Sequence, residues 1–219
     1  MLRLVAFDMD GTLLTVASSW RAVHDHFGDT NDEGLRKFLA NEIDDREFIR
    51  SDVRLWWRHD PELSLADLRR ILAPVALMPG AHGLFARLRA LRVTTAIVSG
   101  GLDLVAERIG QELGIDHVLA NGLEADGDGR LTGDGIIRVP IHGKEGVLAA
   151  LQERLGIGPG ETASVGNSEI DVGLFRRSRM GIAFLPEDDA VRANATAIVT
   201  ERDLGRVADL LERFPSGLP

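Results

Sequence analysis

Two aspartates one residue apart, Asp8 and Asp10, close an apolar run and precede Gly11 and Thr12 in the stretch LVAFDMDGTLL. A pair of acids in that position either holds a cation and does chemistry or marks a strand that has reached the surface. More polar groups stand at comparable places along the chain. Ser99, Gly100 and Gly101 follow the apolar run that ends at Val98; Asn167, Ser168 and Asp171 follow the run that ends at Val165; Lys144 opens an amphipathic stretch. In an open parallel sheet ligands bind outside the carboxyl ends of the strands, so these groups would meet at one edge. Together they suit phosphoryl transfer. A carboxylate attacks phosphorus, a magnesium ion and an ammonium screen the repulsion between the two anions, and a hydroxyl and turn amides hold phosphate oxygens. A second acid protonates the leaving alcohol and then activates water.

The elements that must position these groups follow from periodicity. Short apolar runs at 4–7, 93–98, 117–120, 162–165, 181–184 and 197–199 alternate with helical patterns at 81–91, 103–113, 144–155, 170–177 and 204–214. That alternation predicts an α/β fold with a doubly wound, mostly parallel sheet. Residues 15–78 break it: they contain helical stretches and no strand, the clearest being DDREFIRSDVRLWW with Ile49, Val53 and Trp56 on one stripe. This predicts a helical insertion after the first strand, with a core made of 1–14 and 79–219. The stretch GLEADGDGRLTGDGIIRVP reads as a β-hairpin turning at 126–129, and the tail FPSGLP is expected to fray.

At 219 residues and 44% hydrophobic content the chain can bury a sizeable core. A net charge of -9 with scattered arginines argues against nucleic-acid and membrane-surface partners. The absence of cysteine fits a reducing cytoplasm and excludes disulfides and thiolate sites. No run is long enough to span a membrane. Competing phosphate and hydrolase motifs fail: Gly143-Lys144 lacks the rest of a P-loop, and no G-x-S-x-G elbow surrounds Ser99 or Ser168.

The ensemble resembles the haloacid dehalogenase-like phosphatases over nearly the whole chain. DMDGTL is similar to the family's first signature, SGG at 99–101 to its second, Lys144 to its third and GNSEID at 166–171 to its fourth. The insert resembles the small helical cap of the phosphoserine phosphatase branch, and LTGD at 131–134 is familiar there too. The resemblance implies a Rossmann-like core and Asp8 as nucleophile and metal ligand. It implies Asp10 as acid/base with its carbonyl on the metal, Ser99 and the Gly100 amide on phosphate, and Thr12 and Gly11 shaping the first turn. Lys144 would neutralise charge and Asp171 would orient metal-bound water. Asn167 stands where the family usually has a metal-binding aspartate, which implies weaker Mg2+ binding.

Arg50 has two readings, a grip on a substrate carboxylate or an ion pair with its helical neighbour Glu47. The acid that would hold a substrate ammonium is missing from Thr15–Ser19. Trp20, Trp56 and Trp57 are read as cap core, and one of them could wall the pocket. The expected activity is magnesium-dependent hydrolysis of a small phosphorylated metabolite, phosphoserine first, by a cytoplasmic monomer or homodimer. A phosphotransferase and a weak phosphate-binding protein are the alternatives.

Overall fold

A computed structural model describes residues 1–214; all but one residue of the tail FPSGLP lie beyond them. Strand β1 (Leu4–Phe7) forms the centre of the molecule, and all four of its residues are fully buried. Val5 and Phe7 enter one apolar layer, Leu4 and Ala6 the other, as the two-residue period of a strand requires. The strand is apolar throughout because helices cover both faces of the sheet.

Strands β2 (Thr94–Leu102), β3 (His117–Ala125) and β4 (Leu131–Ile136) lie on one side of β1. Strands β5 (Thr162–Gly166), β6 (Met180–Phe184) and β7 (Ala197–Val199) lie on the other, in the order β4-β3-β2-β1-β5-β6-β7. Only β3 and β4 pair antiparallel; every other neighbour is parallel. The chain runs outward from β1 to one edge and then returns to β5 on its far side. The carboxyl end of β1 is therefore the topological switch point, where open sheets of this kind leave a crevice.

Ten α-helices surround the described sheet. Helices α1 (Ser19–Phe27), α2 (Asp32–Leu39), α3 (Asp45–Trp56) and α4 (Leu65–Leu72) fall in the segment after β1. Next come α5 (Ala81–Ala90), α6 (Asp103–Leu113) and α7 (Lys144–Leu155), then α8 (Val172–Arg176), α9 (Asp189–Asn194) and α10 (Gly205–Leu211). Ser18, Asn31, Asp44 and Ser64 cap the first four helices through side chains that accept backbone N–H bonds. The segment leaves and returns at one place: Met78 N donates to Leu13 O at 2.8 Å, and Thr15 N donates to Ala76 O at 3.0 Å.

Its apolar face does not form a separate core. Val23, Ile49, Val53, Trp56, Leu68 and Leu72 belong to the same buried cluster as Phe7 and Ile97 of the sheet. Inside it, Trp56 Nε1 donates to His24 Nδ1 (3.2 Å), and His24 Nε2 lies 2.8 Å from Asp52 Oδ1. A nitrogen that accepts carries no proton, so the imidazole proton sits on Nε2 and is donated to Asp52. The stripe Ile49, Val53 and Trp56 is buried.

Four elements differ from the sequence reading. Strand β2 continues through the Ser99-Gly100-Gly101 segment, with a register irregularity between Ser99 and Leu102. Strand β3 is one continuous strand, parallel to β2 in its first half and antiparallel to β4 in its second, where the reading had two shorter segments. The helix expected over 170–177 begins as a tight 3₁₀ turn at Glu169–Asp171 before α8. Helix α9 has too few residues for its period to show in the sequence.

Buried Asn121 of β3 joins the outer strands to the loop before α7. It accepts from Arg138 N (2.9 Å) and Val139 N (2.8 Å) and donates to Val139 O (2.9 Å). Asn121→Ala leaves these groups unpaired at about 1–3 kcal/mol each. It should lower stability by about 2–4 kcal/mol, read as a reduced urea midpoint at unchanged m. A loss below about 1 kcal/mol would show that water or relaxation replaces Asn121.

Candidate active site

The carboxyl ends of β1, β2 and β5 and the first turn of α7 converge at the switch point. The Asp8 amide extends the β1–β5 ladder by donating to Val165 O at 2.9 Å, which holds its side chain at the mouth of the sheet. Lys144, first residue of α7, reaches back and donates to Asp8 Oδ1 at 2.5 Å and to Asp171 Oδ1 at 2.6 Å. The other Asp171 oxygen accepts from the amides of Asn167 (2.9 Å) and Ser168 (3.1 Å). All three charged residues are buried.

Glycines permit this convergence. A Cβ on Gly166 would lie 2.4 Å from Asp171 Cβ, so the turn after β5 can fold back only over a bare backbone. Gly11 has φ +71°, a conformation that L side chains rarely adopt, and a Cβ there would meet Asn167 Nδ2 at 2.4 Å.

Burial pushes the Asp8 carboxyl up to about 7; the Asp171 charge adds to this, and Lys144 opposes it without cancelling it. Burial alone would lower the Lys144 ammonium, but the charges of Asp171 and Asp8 outweigh it and the net shift is upward. Burial also raises Asp10, against hydrogen bonds that lower it. Those bonds come from Ser19, whose N and Oγ donate to Asp10 Oδ2 at 2.8 and 2.9 Å. Asp10 Oδ1 is buried with no partner, as is Thr12 Oγ1.

Ser99 is buried, and its Oγ accepts from Gly101 N at 3.2 Å. The Gly100 carbonyl is turned to accept from Trp20 Nε1 (3.0 Å) and from Asn121 Nδ2 (3.3 Å). A Cβ on Gly101 would fall 2.6 Å from Asp10 Oδ2, which brings the Ser99–Gly101 segment against the Asp10 carboxylate.

Asn167 is buried and donates through Nδ2 to Glu187 Oε1 at 3.0 Å, while Glu187 N donates to Asn167 O at 2.8 Å. Arg50 on α3 sits apart from the Lys144 group in a chain of ion pairs. Its Nε donates to Asp134 Oδ1 of β4 at 2.5 Å, and its Nη1 lies 3.6 Å from Glu47 Oε2. Of the two readings of Arg50, the ion pair is the one with partners in the fold, although Asp134 comes from a strand that helical spacing could not reveal.

Among the described residues, no group of three or more His, Cys, Asp and Glu side chains gathers to hold a metal ion. Asp10 is turned to Ser19, and the place nearest Asp171 is taken by an amide. The donors present are nonetheless all oxygens in kind: the carboxylates of Asp8 and Asp171, the Asn167 amide and backbone carbonyls. Asp8 Oδ2 accepts no hydrogen bond among the described residues. Such a set fits a small hard divalent cation held by few charges.

Sequence reasoning overlooked Glu187, Ser19 and Asn121, and treated Trp20 as core. Glu187 was within reach of the same logic that found Asp171, since it follows an apolar run ending at Phe184. Ser19 and Asn121 carry no signal of their own, because their roles come from neighbours nine or more residues away.

The Asp8 environment has a consequence for stability. With the unfolded group near 3.8 and the folded one near 7, the folded chain binds the extra proton between those values. Stability should therefore fall as pH rises from about 4 to 7 in chelator-treated protein. Asp8→Asn should flatten that slope in thermal melts, and an unchanged slope would show that Asp8 is ionised throughout.

The sequence profile of the haloacid dehalogenase-like hydrolase family matches residues 5–176. Phosphoserine phosphatase of Archaeoglobus fulgidus is 29% identical over 213 residues, covering 96% of this chain and 60% of that protein. The enzyme of the same name from Idiomarina loihiensis is 29% identical over 214 residues, covering 96% and 94%. The chain spans only 60%, 61% and 47% of the curated relatives from A. fulgidus, Schizosaccharomyces pombe and Streptomyces coelicolor. Among solved structures, a phospho-aspartyl intermediate analogue of phosphoserine phosphatase superposes with a TM-score of 0.80 at 23% identity, covering 95% of this chain and 98% of that one. With its fold, its four signature segments and a profile match over most of its length, the chain belongs to the haloacid dehalogenase-like hydrolase family.

Proposed function

We propose that this protein hydrolyses a small phosphomonoester through an aspartyl phosphate on Asp8, with Mg2+ as cofactor and residues 15–78 as a cap over the core. The observation that carries the reading is the Lys144 ammonium set between Asp8 and Asp171 beside an Asp10 oxygen that nothing else uses. Lys144 holds Asp8 Oδ1, which leaves Oδ2 to attack phosphorus while the bond to the leaving alcohol breaks. Asp10, whose carboxyl is raised by burial, gives its proton to the departing oxygen. Asp10 then takes a proton from the water that attacks the phosphorus of the acyl phosphate, and orthophosphate and the Asp8 carboxylate are released. Ser99 and the Gly100 amide hold phosphate oxygens.

Asp8, Asp171, Asn167 and the Asp10 carbonyl would hold the Mg2+, which supplies charge that screens phosphate from the nucleophile and keeps Asp8 ionised. Phosphoserine is the first substrate to test, because the relatives carry that name. A panel of phosphorylated metabolites assayed with Mg2+ tests both the activity and the substrate.

Asp8→Asn should abolish turnover of every active substrate while leaving the circular dichroism spectrum unchanged, since an amide forms no acyl phosphate. Retained activity would remove Asp8 as nucleophile.

Asn167→Asp would bring a second carboxylate against Glu187. It should lower the melting temperature in chelator and steepen its rise on Mg2+ titration. A variant whose melting temperature responds to Mg2+ no more than the parent's would show that residue 167 is not a ligand.

A further inference from the structure

The head of α1 touches the reaction centre twice, through adjacent residues. Ser19, fully buried, donates its N–H and its hydroxyl to Asp10 Oδ2 at 2.8 and 2.9 Å. The same Oγ accepts from Leu102 N at 2.9 Å, and its own proton is donated to Asp10 Oδ2, the acceptor in reach. With two donors aimed at Oδ2, a proton on the Asp10 carboxyl is favoured on Oδ1, the buried oxygen without a partner. A carboxyl free to carry its proton on either oxygen would present it to the leaving group only part of the time.

The next residue, Trp20, donates Nε1 to the Gly100 carbonyl at 3.0 Å. That carbonyl belongs to the irregular segment where β2 leaves register with β3, so the ladder does not set its direction. Asn121 Nδ2 supplies the second bond at 3.3 Å from β3. The Trp20 ring is itself held by stacking on Trp56, with centroids 6.0 Å apart and planes 20° apart, and Trp56 is tied through His24 to Asp52. The buried Asp52–His24–Trp56 hydrogen-bonded chain thus reaches the backbone of the Ser99–Gly101 segment through the stacked, half-buried Trp20 ring.

We propose that the first turn of α1 is a two-point clamp on the reaction centre: Ser19 confines the transferable proton of Asp10 to Oδ1, and Trp20 fixes the turn that receives the phosphate. Both are positioning residues, and neither reacts. The clamp rests on the phosphatase reading above. It makes the acid step and the phosphate site depend on how the helical segment is seated, since both contacts leave from one turn of one helix.

The test compares p-nitrophenyl phosphate, whose leaving group needs little protonation, with the alkyl phosphate that the wild type turns over fastest in the panel. Ser19→Ala should reduce kcat/KM for the alkyl ester by about 10-fold and for the aryl ester by about 2-fold or less, because only the former relies on a placed acid. In an Asp10→Asn background the same substitution should change the alkyl-to-aryl ratio no further, as expected for residues acting in one unit. Trp20→Phe keeps the ring and removes the N–H; it should raise the inhibition constant of orthophosphate by about 5-fold and leave the alkyl-to-aryl ratio alone. Melting curves confirm that each variant is folded. An equal loss on both esters for Ser19→Ala, or an added loss in the Asp10→Asn background, overturns the Ser19 arm. An unchanged orthophosphate constant overturns the Trp20 arm. A wild-type chain that turns over neither ester overturns the phosphatase reading itself, and the clamp with it.

Discussion

A buried ammonium between two buried carboxylates is the constraint around which the rest is arranged. Lys144, Asp8 and Asp171 come from the start of α7, the end of β1 and the turn after β5, and their side chains are 5%, 7% and 0% exposed. Removing Lys144 from such a group leaves two carboxylates uncompensated in a poorly solvated place, at a cost of roughly 3–5 kcal/mol. The geometry therefore couples three segments. The β1–β5 register places Asp8 level with the turn, two backbone amides aim Asp171, and Gly166 gives it room. With Asp8 ionised, the three groups carry one negative charge in excess, which accords with the proposed binding of a cation.

The helical segment is joined to this centre by apolar packing as well as polar contacts. Its buried residues continue the cluster that covers one face of the sheet, so there is no polar seam between the two. Its third helix and the loop that follows it also lie against the β3–β4 hairpin. Ile49 and Trp57 pack where Gly135 and Gly133 have no side chains, Leu131 N donates to Leu63 O, and Arg50 pairs with Asp134. A segment anchored on one side to the hairpin and on the other to β2 is set in place by both.

The turn after β5 shows how a charge change is absorbed. Asn167 puts a neutral amide where an acid would add to the negative charges of Asp8 and Asp171, and its Nδ2 turns to Glu187. The acid is thereby moved one residue layer outward, onto the loop after β6, where it borders Gly11 and the first signature turn. The Glu187 carboxylate keeps negative charge beside this turn.

The sequence by itself determined the alternation of strands and helices, the helical break after β1, and the hairpin with its turn at Asp126–Gly129. These are signals of period and turn chemistry that survive without tertiary context. It also placed Asp8, Asp10 and Asp171 just after strands, where apolar runs stop, and Lys144 at a helix start, whereas β2 runs on through Ser99. Tertiary structure decided the partners. Helical spacing offered Arg50 only Glu47, and the fold supplied Asp134 from 84 residues away. Ser19 stood unremarked and Trp20 read as cap core until α1 was seated against β2, and Glu187 stood unremarked until β6 was laid beside β5. A hydrogen bond between residues far apart in sequence leaves no periodic trace, since it depends on the register of elements rather than on the pattern within any one of them.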